Sequence, residues 1–210
     1  MGVEFPLKYW RIDMHFIKDV LTKETFLRAH DEVQSKFDDN CWRSSLWAYP
    51  ESQRKYINQS TMITSVSPEL EKVIWEEVGE YFPEGFAISM EFLAYQCGSG
   101  MSRHVDNQLA TAQIILNKGW DPDWGGCYIW EDEDTWDGGG DGVHKALYPR
   151  SNSMLIVDNN EKYAITTISP HSPEFRVCIN ITCYPTIDLP PGVRNYEEEH
   201  KDGTYYEDEG

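Results

Sequence analysis

The sequence predicts an α+β fold with helices first and strands last, and three observations carry that prediction. Apolar residues recur at helical spacing in two early stretches, Phe26, Ala29, Val33 and Phe37, then Leu70, Val73, Ile74, Val78 and Tyr81. From Ala87 onward the pattern changes to short runs rich in β-branched residues with period-two alternation. Between these runs stand glycine and proline clusters that break the chain into hairpins. Helices that come before a set of strands suit an arrangement in which they buttress a sheet.

In chain order, Lys8 to Ile17 reads as an opening strand, and Thr22 caps a helix that runs to about Phe37. Trp42 to Thr64 hints at short strands, Leu46 to Pro50 and Tyr56 to Ile63, around a polar turn. Ser67 as N-cap and Pro68 at the first helical position open the second helix, and Pro83-Glu-Gly85 stops it. Met90 to Tyr95 is a strand closed by the Gly98-Ser-Gly100 turn, after which Arg103-His-Val-Asp106 lies at the strand mouth. Thr111 to Asn117 follows as a strand, ending on the Trp120 to Gly126 turn, and Cys127 to Trp130 is a short strand after it. Glu131 to Gly142 is acidic and glycine-rich and reads as a mobile loop. Ser153 to Val157, Tyr163 to Ile168 and Phe175 to Tyr184 complete the strand set. Residues 1–185 form one domain on this reading, and residues 186–210 a solvated acidic tail that contains His200.

Composition narrows the function. With 210 residues, 40 % apolar and 13 % aromatic, the chain has enough material for one real core. A formal charge of −18 argues against nucleic acid or an anionic membrane as partner, since both need clustered Lys and Arg. No apolar run approaches a membrane span and the start MGVEFPLKYW lacks a secretory pattern, so a cytoplasmic protein is expected. Cys41, Cys97, Cys127, Cys178 and Cys183 show no CxxC spacing and read as buried free thiols, with no catalytic role for Cys97.

The chemistry concentrates in Glu91 to Gly126. His104 and Asp106 stand two apart in extended chain, so their side chains point the same way and converge on one ion. One imidazole and one carboxylate, completed by a distant second histidine, make the facial triad of non-haem Fe(II). An HxD dipeptide alone is a weak signal, because surface loops carry it by chance. His15, His30 and His144 have no second ligand type at metal spacing and read as packed or surface residues.

Context strengthens the dipeptide. The order Tyr95, glycine turn, RHVDN, LNKGW, GG and then a strand carrying Arg176 resembles the prolyl 4-hydroxylase-like 2-oxoglutarate/Fe(II) dioxygenases, the hypoxia-sensing prolyl hydroxylases in particular. The resemblance spans about Ala87 to Tyr184. It implies a double-stranded β-helix (jelly-roll) core over 87–184, with His104 and Asp106 on Fe(II). It further implies Arg176 gripping the distal carboxylate of 2-oxoglutarate as a bidentate pair, Tyr95 and Thr111 adding hydroxyls, and O₂ as the other co-substrate. A prolyl or similar side chain in a peptide, or a free amino acid, is the substrate class implied.

Two departures from the family pattern stand out. Tyr163 occupies the place of the distal histidine, and the one histidine nearby, His171, sits in the proline-marked turn Ser169 to Glu174. Register places Tyr163 inward with Ile165, in the third ligand's position, with His171 as the fallback ligand. Ile115 stands where the hypoxia-type enzymes carry a tyrosine that helps hold the co-substrate. Three readings stay open: an active hydroxylase, a pseudo-oxygenase that serves as a binding or assembly module, and a calcium-dependent protein built on the acidic 131–142 segment.

Overall fold

In the computed structural model, residues 14–44, 61–82, 86–106, 108–131, 144–158 and 161–185 are described. The segments 132–143 and 186–210, for which a mobile loop and a solvated tail are expected, lie outside them, as do most of the stretch between Trp42 and Met62 and the opening residues of the first strand.

Strand β1 spans His15–Lys18 and helix α1 spans Lys23–Asp38. The Thr22 hydroxyl accepts from the Thr25 N–H at 3.2 Å, so the cap read from the sequence is in place. Two short strands follow, β2 (Arg43–Ser44) and β3 (Met62–Ser65), and then helix α2 (Pro68–Val78). Here the cap differs from expectation. Ser67 Oγ donates to Glu32 Oε2 at 2.6 Å and its N–H to Glu32 Oε1 at 2.7 Å, so its side chain ties α2 to α1 instead of capping its own helix.

The remaining strands are β4 (Phe86–Tyr95), β5 (Met101–His104), β6 (Ala110–Ile115), β7 (Tyr128–Glu131), β8 (His144–Leu147), β9 (Ser153–Asp158), β10 (Tyr163–Ile165) and β11 (Arg176–Pro185). They form two antiparallel sheets, a seven-stranded one ordered β1-β9-β6-β11-β4-β3-β2 and a four-stranded one ordered β5-β10-β7-β8. This is the jelly-roll arrangement, two facing sheets with non-consecutive neighbours. β10 is shorter than the run to Ile168 suggested, because Thr166 to Ser169 instead bonds the turns before β5 and β7: Ile168 N–H to Ser99 O at 2.8 Å and Ser169 N–H to Trp124 O at 2.8 Å.

Period-two alternation splits the large sheet into two faces. Ile88, Met90, Phe92 and Ala94 of β4, Ala112 and Ile114 of β6, Met154 and Ile156 of β9, and Val177, Ile179 and Ile181 of β11 pack with Phe26, Ala29, Val33, Leu70, Ile74 and Val78 of the helices. The opposite face looks into the roll, where Leu93, Tyr95, Ile115, Leu155, Val157 and Cys178 meet Tyr128, Tyr163 and Ile165 of the small sheet. The helices cover the outside, so the interior between the sheets is left to the site.

Of the thiols, Cys127, Cys178 and Cys183 are buried, whereas Cys41 and Cys97 are exposed, contrary to the expectation of five buried cysteines. Cys41 lies just past the C-cap of α1 and Cys97 in the turn after β4, positions that the sheet does not cover.

Candidate active site

The inward face of the large sheet is polar at one end. Antiparallel register sets Arg176 opposite Tyr95, Asn180 opposite Gln113, and Thr182 opposite Thr111. All six side chains are buried, Arg176 completely. On the small sheet Tyr163 pairs with His104 on one side and Trp130 on the other. The two faces are linked by rings, since Tyr163 lies 4.6 Å from His104 and 6.1 Å from Tyr128 between centroids, and the Tyr128 centroid is 5.0 Å from the Arg176 guanidinium carbon.

His104 ends β5 and Asp106 follows it, with Nε2 and Oδ1 3.3 Å apart and side chains 4 % and 13 % exposed. The imidazole is oriented by its Nδ1, 2.9 Å from the Ser102 carbonyl oxygen. Such a bond leaves Nε2 facing the carboxylate side. Burial pushes the Asp106 pKa up, but the neighbouring His104 and the Thr111 and Tyr163 hydroxyls outweigh it, so the carboxyl is held below its usual range. The Thr111 hydroxyl, expected to reach the co-substrate, is hydrogen-bonded to Asp106.

Tyr163 is 2 % exposed and donates its hydroxyl proton to Asp106 Oδ2 at 3.0 Å. Burial, followed by the negative charge of Asp106, drives its pKa well above the ordinary value, so the phenol stays neutral. His171 is exposed in the turn between β10 and β11, where its N–H donates to Ser169 Oγ at 3.2 Å. The structure therefore brings His104, Asp106 and Tyr163 together and leaves His171 outside. Among the described residues no three His, Cys, Asp or Glu side chains cluster as a metal site.

Arg176 is the other half of the site. Its Nη1 donates to Gln113 Oε1 at 3.2 Å and lies 3.8 Å from Cys178 Sγ, and its Nε and Nη2 are buried without a hydrogen-bond partner. The Tyr95 and Tyr128 ring centroids each lie 5.0 Å from its guanidinium carbon. Burial opposes its charge, but the surrounding Tyr128, Cys178 and Tyr95 raise its pKa overall, and it remains a cation. Gly126 lets this side chain through, because at φ +68° a Cβ there would stand 2.9 Å from Arg176 Cδ.

Gln113 and Tyr128 belong to no motif in the sequence. Gln113 lies two residues after Thr111 on one strand, a period-two signal that marks the same face. Tyr128 carries no such signal, since its place depends on how the two sheets face each other.

The architecture matches solved structures. A Pseudomonas putida prolyl-4-hydroxylase superposes with a TM-score of 0.58 at 14 % identity, covering 81 % of this chain and 91 % of that one. The chain has the 2-oxoglutarate/Fe(II) oxygenase fold. A prolyl hydroxylase from Trichoplax adhaerens, solved with a hypoxia-inducible-factor peptide, gives 0.61 at 13 % identity over 82 % and 83 % of the two chains. The non-heme α-ketoglutarate-dependent epimerase SnoN from nogalamycin biosynthesis gives 0.61 at 11 % identity over 87 % and 86 %. No protein-family model matches the sequence, and no curated protein matches it significantly. One oxygenase fold thus houses prolyl hydroxylases and an epimerase, so the fold alone does not set the reaction. Among the described residues no helix is long and apolar enough to cross a membrane.

Proposed function

We propose that this protein is a 2-oxoglutarate-dependent oxygenase that hydroxylates a prolyl or other amino-acid side chain, in a peptide or as the free amino acid. The observation that carries the reading is Arg176, fully buried, with two guanidinium nitrogens unpartnered inside an oxygenase fold. A buried cation is costly unless an anion meets it, and a carboxylate fits the Nε and Nη2 edge as a bidentate pair. The site therefore suits the distal carboxylate of 2-oxoglutarate.

For the metal the fit is partial. His104 Nε2 and Asp106 Oδ1 are an imidazole and a hard oxygen close enough to share one ion. The third place holds the Tyr163 phenol, which keeps its proton and spends it on Asp106. When bound, iron with 2-oxoglutarate and O₂ supplies the oxidising chemistry. The chain's own residues supply the rest. Arg176 orients the co-substrate, Ser102 fixes the His104 ring, Thr111 and Tyr163 hold Asp106 ionised, and the ring wall of Tyr95, Tyr128 and Tyr163 excludes water. The five free thiols support a reducing compartment, the cytosol.

A second reading follows from Tyr163 alone. With a neutral phenol in the third place, the site serves as a 2-oxoacid-binding module without turnover. Release of labelled CO₂ from 1-¹⁴C-labelled 2-oxoglutarate, in air with Fe(II), separates the two. Iron-dependent release lost in Asp106→Ala supports the oxygenase; binding of 2-oxoglutarate with no release supports the module.

A further inference from the structure

We propose that Tyr128, positioned by Gln113, is the hydroxyl that joins Arg176 in gripping the far carboxylate of the co-substrate, the role that Ile115 leaves open. This deepens the reading above and rests on it. Ile115 is 2 % exposed on the inward face opposite Cys178 and brings no donor to that face. A phenol arrives from the other sheet instead.

The arrangement around Gln113 shows how. Its amide nitrogen donates to Tyr95 Oη and to Asn180 Oδ1, both at 3.3 Å. Those two acceptors fix the amide's orientation, since a flipped amide would aim its N–H₂ at the Arg176 donor. The carbonyl oxygen then faces three donors at once, Tyr128 Oη–H, Arg176 Nη1 at 3.2 Å and Cys178 Sγ at 3.4 Å. A carbonyl oxygen has two lone pairs, so this acceptor is oversubscribed and one donor is held in reserve.

Of the three, the Tyr128 proton is the one free to turn. Arg176 Nη1 is fixed by a planar fork, and the thiol is a weak donor whose pKa burial pushes up to about 11. Tyr128 is 2 % exposed, its ring centroid is 5.0 Å from the guanidinium carbon, and rotation about its C–O bond redirects the proton without moving the ring. A carboxylate on Arg176 Nε and Nη2 is a stronger acceptor than the amide and would draw that proton to itself. Gln113, neutral, anchors Nη1 and leaves the charge of Arg176 for the ligand.

The test is calorimetric titration of the full chain with 2-oxoglutarate, once with Mn(II) present and once with a chelator. Wild type is compared with Tyr128→Phe and Gln113→Glu. Tyr128→Phe is expected to bind about tenfold more weakly, the loss of one hydrogen bond to a charged group, with a ligand-free melting temperature within about 2 °C of wild type. Gln113→Glu keeps the shape but hands Arg176 an internal carboxylate. It is expected to hold or raise ligand-free stability while weakening 2-oxoglutarate binding at least about tenfold, a split that a purely structural role for Gln113 would not produce. If either variant binds within about twofold of wild type, the assignment of Tyr128 and Gln113 is overturned and the functional reading stands. If wild type takes up no 2-oxoglutarate in either condition, the functional reading falls, and this inference with it.

Discussion

Tyr163 and Asp106 share one proton-mediated contact, and it sets the behaviour of the site residue by residue. The Tyr163 hydroxyl stabilises the ionised carboxylate, so Tyr163→Phe is expected to raise the Asp106 pKa, read by NMR of the carboxyl carbon. The sign of the pH dependence follows. Asp106 has a folded pKa below its unfolded value, so its contribution is fully present above about pH 4 and is lost as pH falls through the folded pKa. Urea midpoints taken from about pH 6 down to about pH 3 should fall for wild type, and Asp106→Asn should flatten part of that decline. An unchanged acid profile in the variant would mean that Asp106 does not contribute to it.

At the level of elements, two features carry testable weight. Ile74 of α2 is fully buried between the helices and the outer face of the large sheet. Its truncation to alanine is expected to cost about 2–5 kcal/mol in chemical denaturation, as a cavity in a packed interface does. The Gly125-Gly126 turn before β7 is the second. Both residues have positive φ, and a Cβ on Gly126 would approach Ile168 Cδ1 at 2.7 Å and Arg176 Cδ at 2.9 Å. Gly126→Ala is expected to cost about 1–3 kcal/mol and also to displace Arg176, so both the urea midpoint and 2-oxoglutarate affinity should drop. Affinity that survives the loss of stability would mean that the turn does not position the guanidinium.

Legibility also divides by element. The period-3.6 faces of α1 and α2, and the alternation along β4, β6, β9 and β11, were readable because helices and sheet bury one another through local repeats. The sequence pattern extends the strand to Ile168, beyond its end in the structure, since Thr166 to Ser169 satisfies its backbone against turns that are distant in sequence. The role of Ser67 was likewise set by Glu32, a residue on the other helix. Neither partner is visible in a local pattern.

For the molecule as a whole, the helices cover one face of the large sheet, so the polar residues of the other face are confined between the two sheets. The approach of His104 to Asp106 and the inward, buried place of Arg176 follow from motifs with fixed spacing and are legible in the sequence. Gln113 and Tyr128 are not, because their meaning arises only where the sheets meet: Gln113 turns into the roll from the large sheet and Tyr128 reaches the same oxygen from the small one. The inward placement of Tyr163 was legible from register with Ile165, and its bond to Asp106 was not. Tyr163 stands beside His104 and Asp106, the place we propose for a third metal ligand. The direct test is anaerobic titration with Fe(II), or with Co(II) for its visible spectrum, of wild type, Tyr163→His and His171→Ala. Tyr163→His is expected to bind metal at least about tenfold more tightly than wild type, and His171→Ala to bind as wild type does. Loss of metal binding in His171→Ala, with no gain in Tyr163→His, would contradict that assignment.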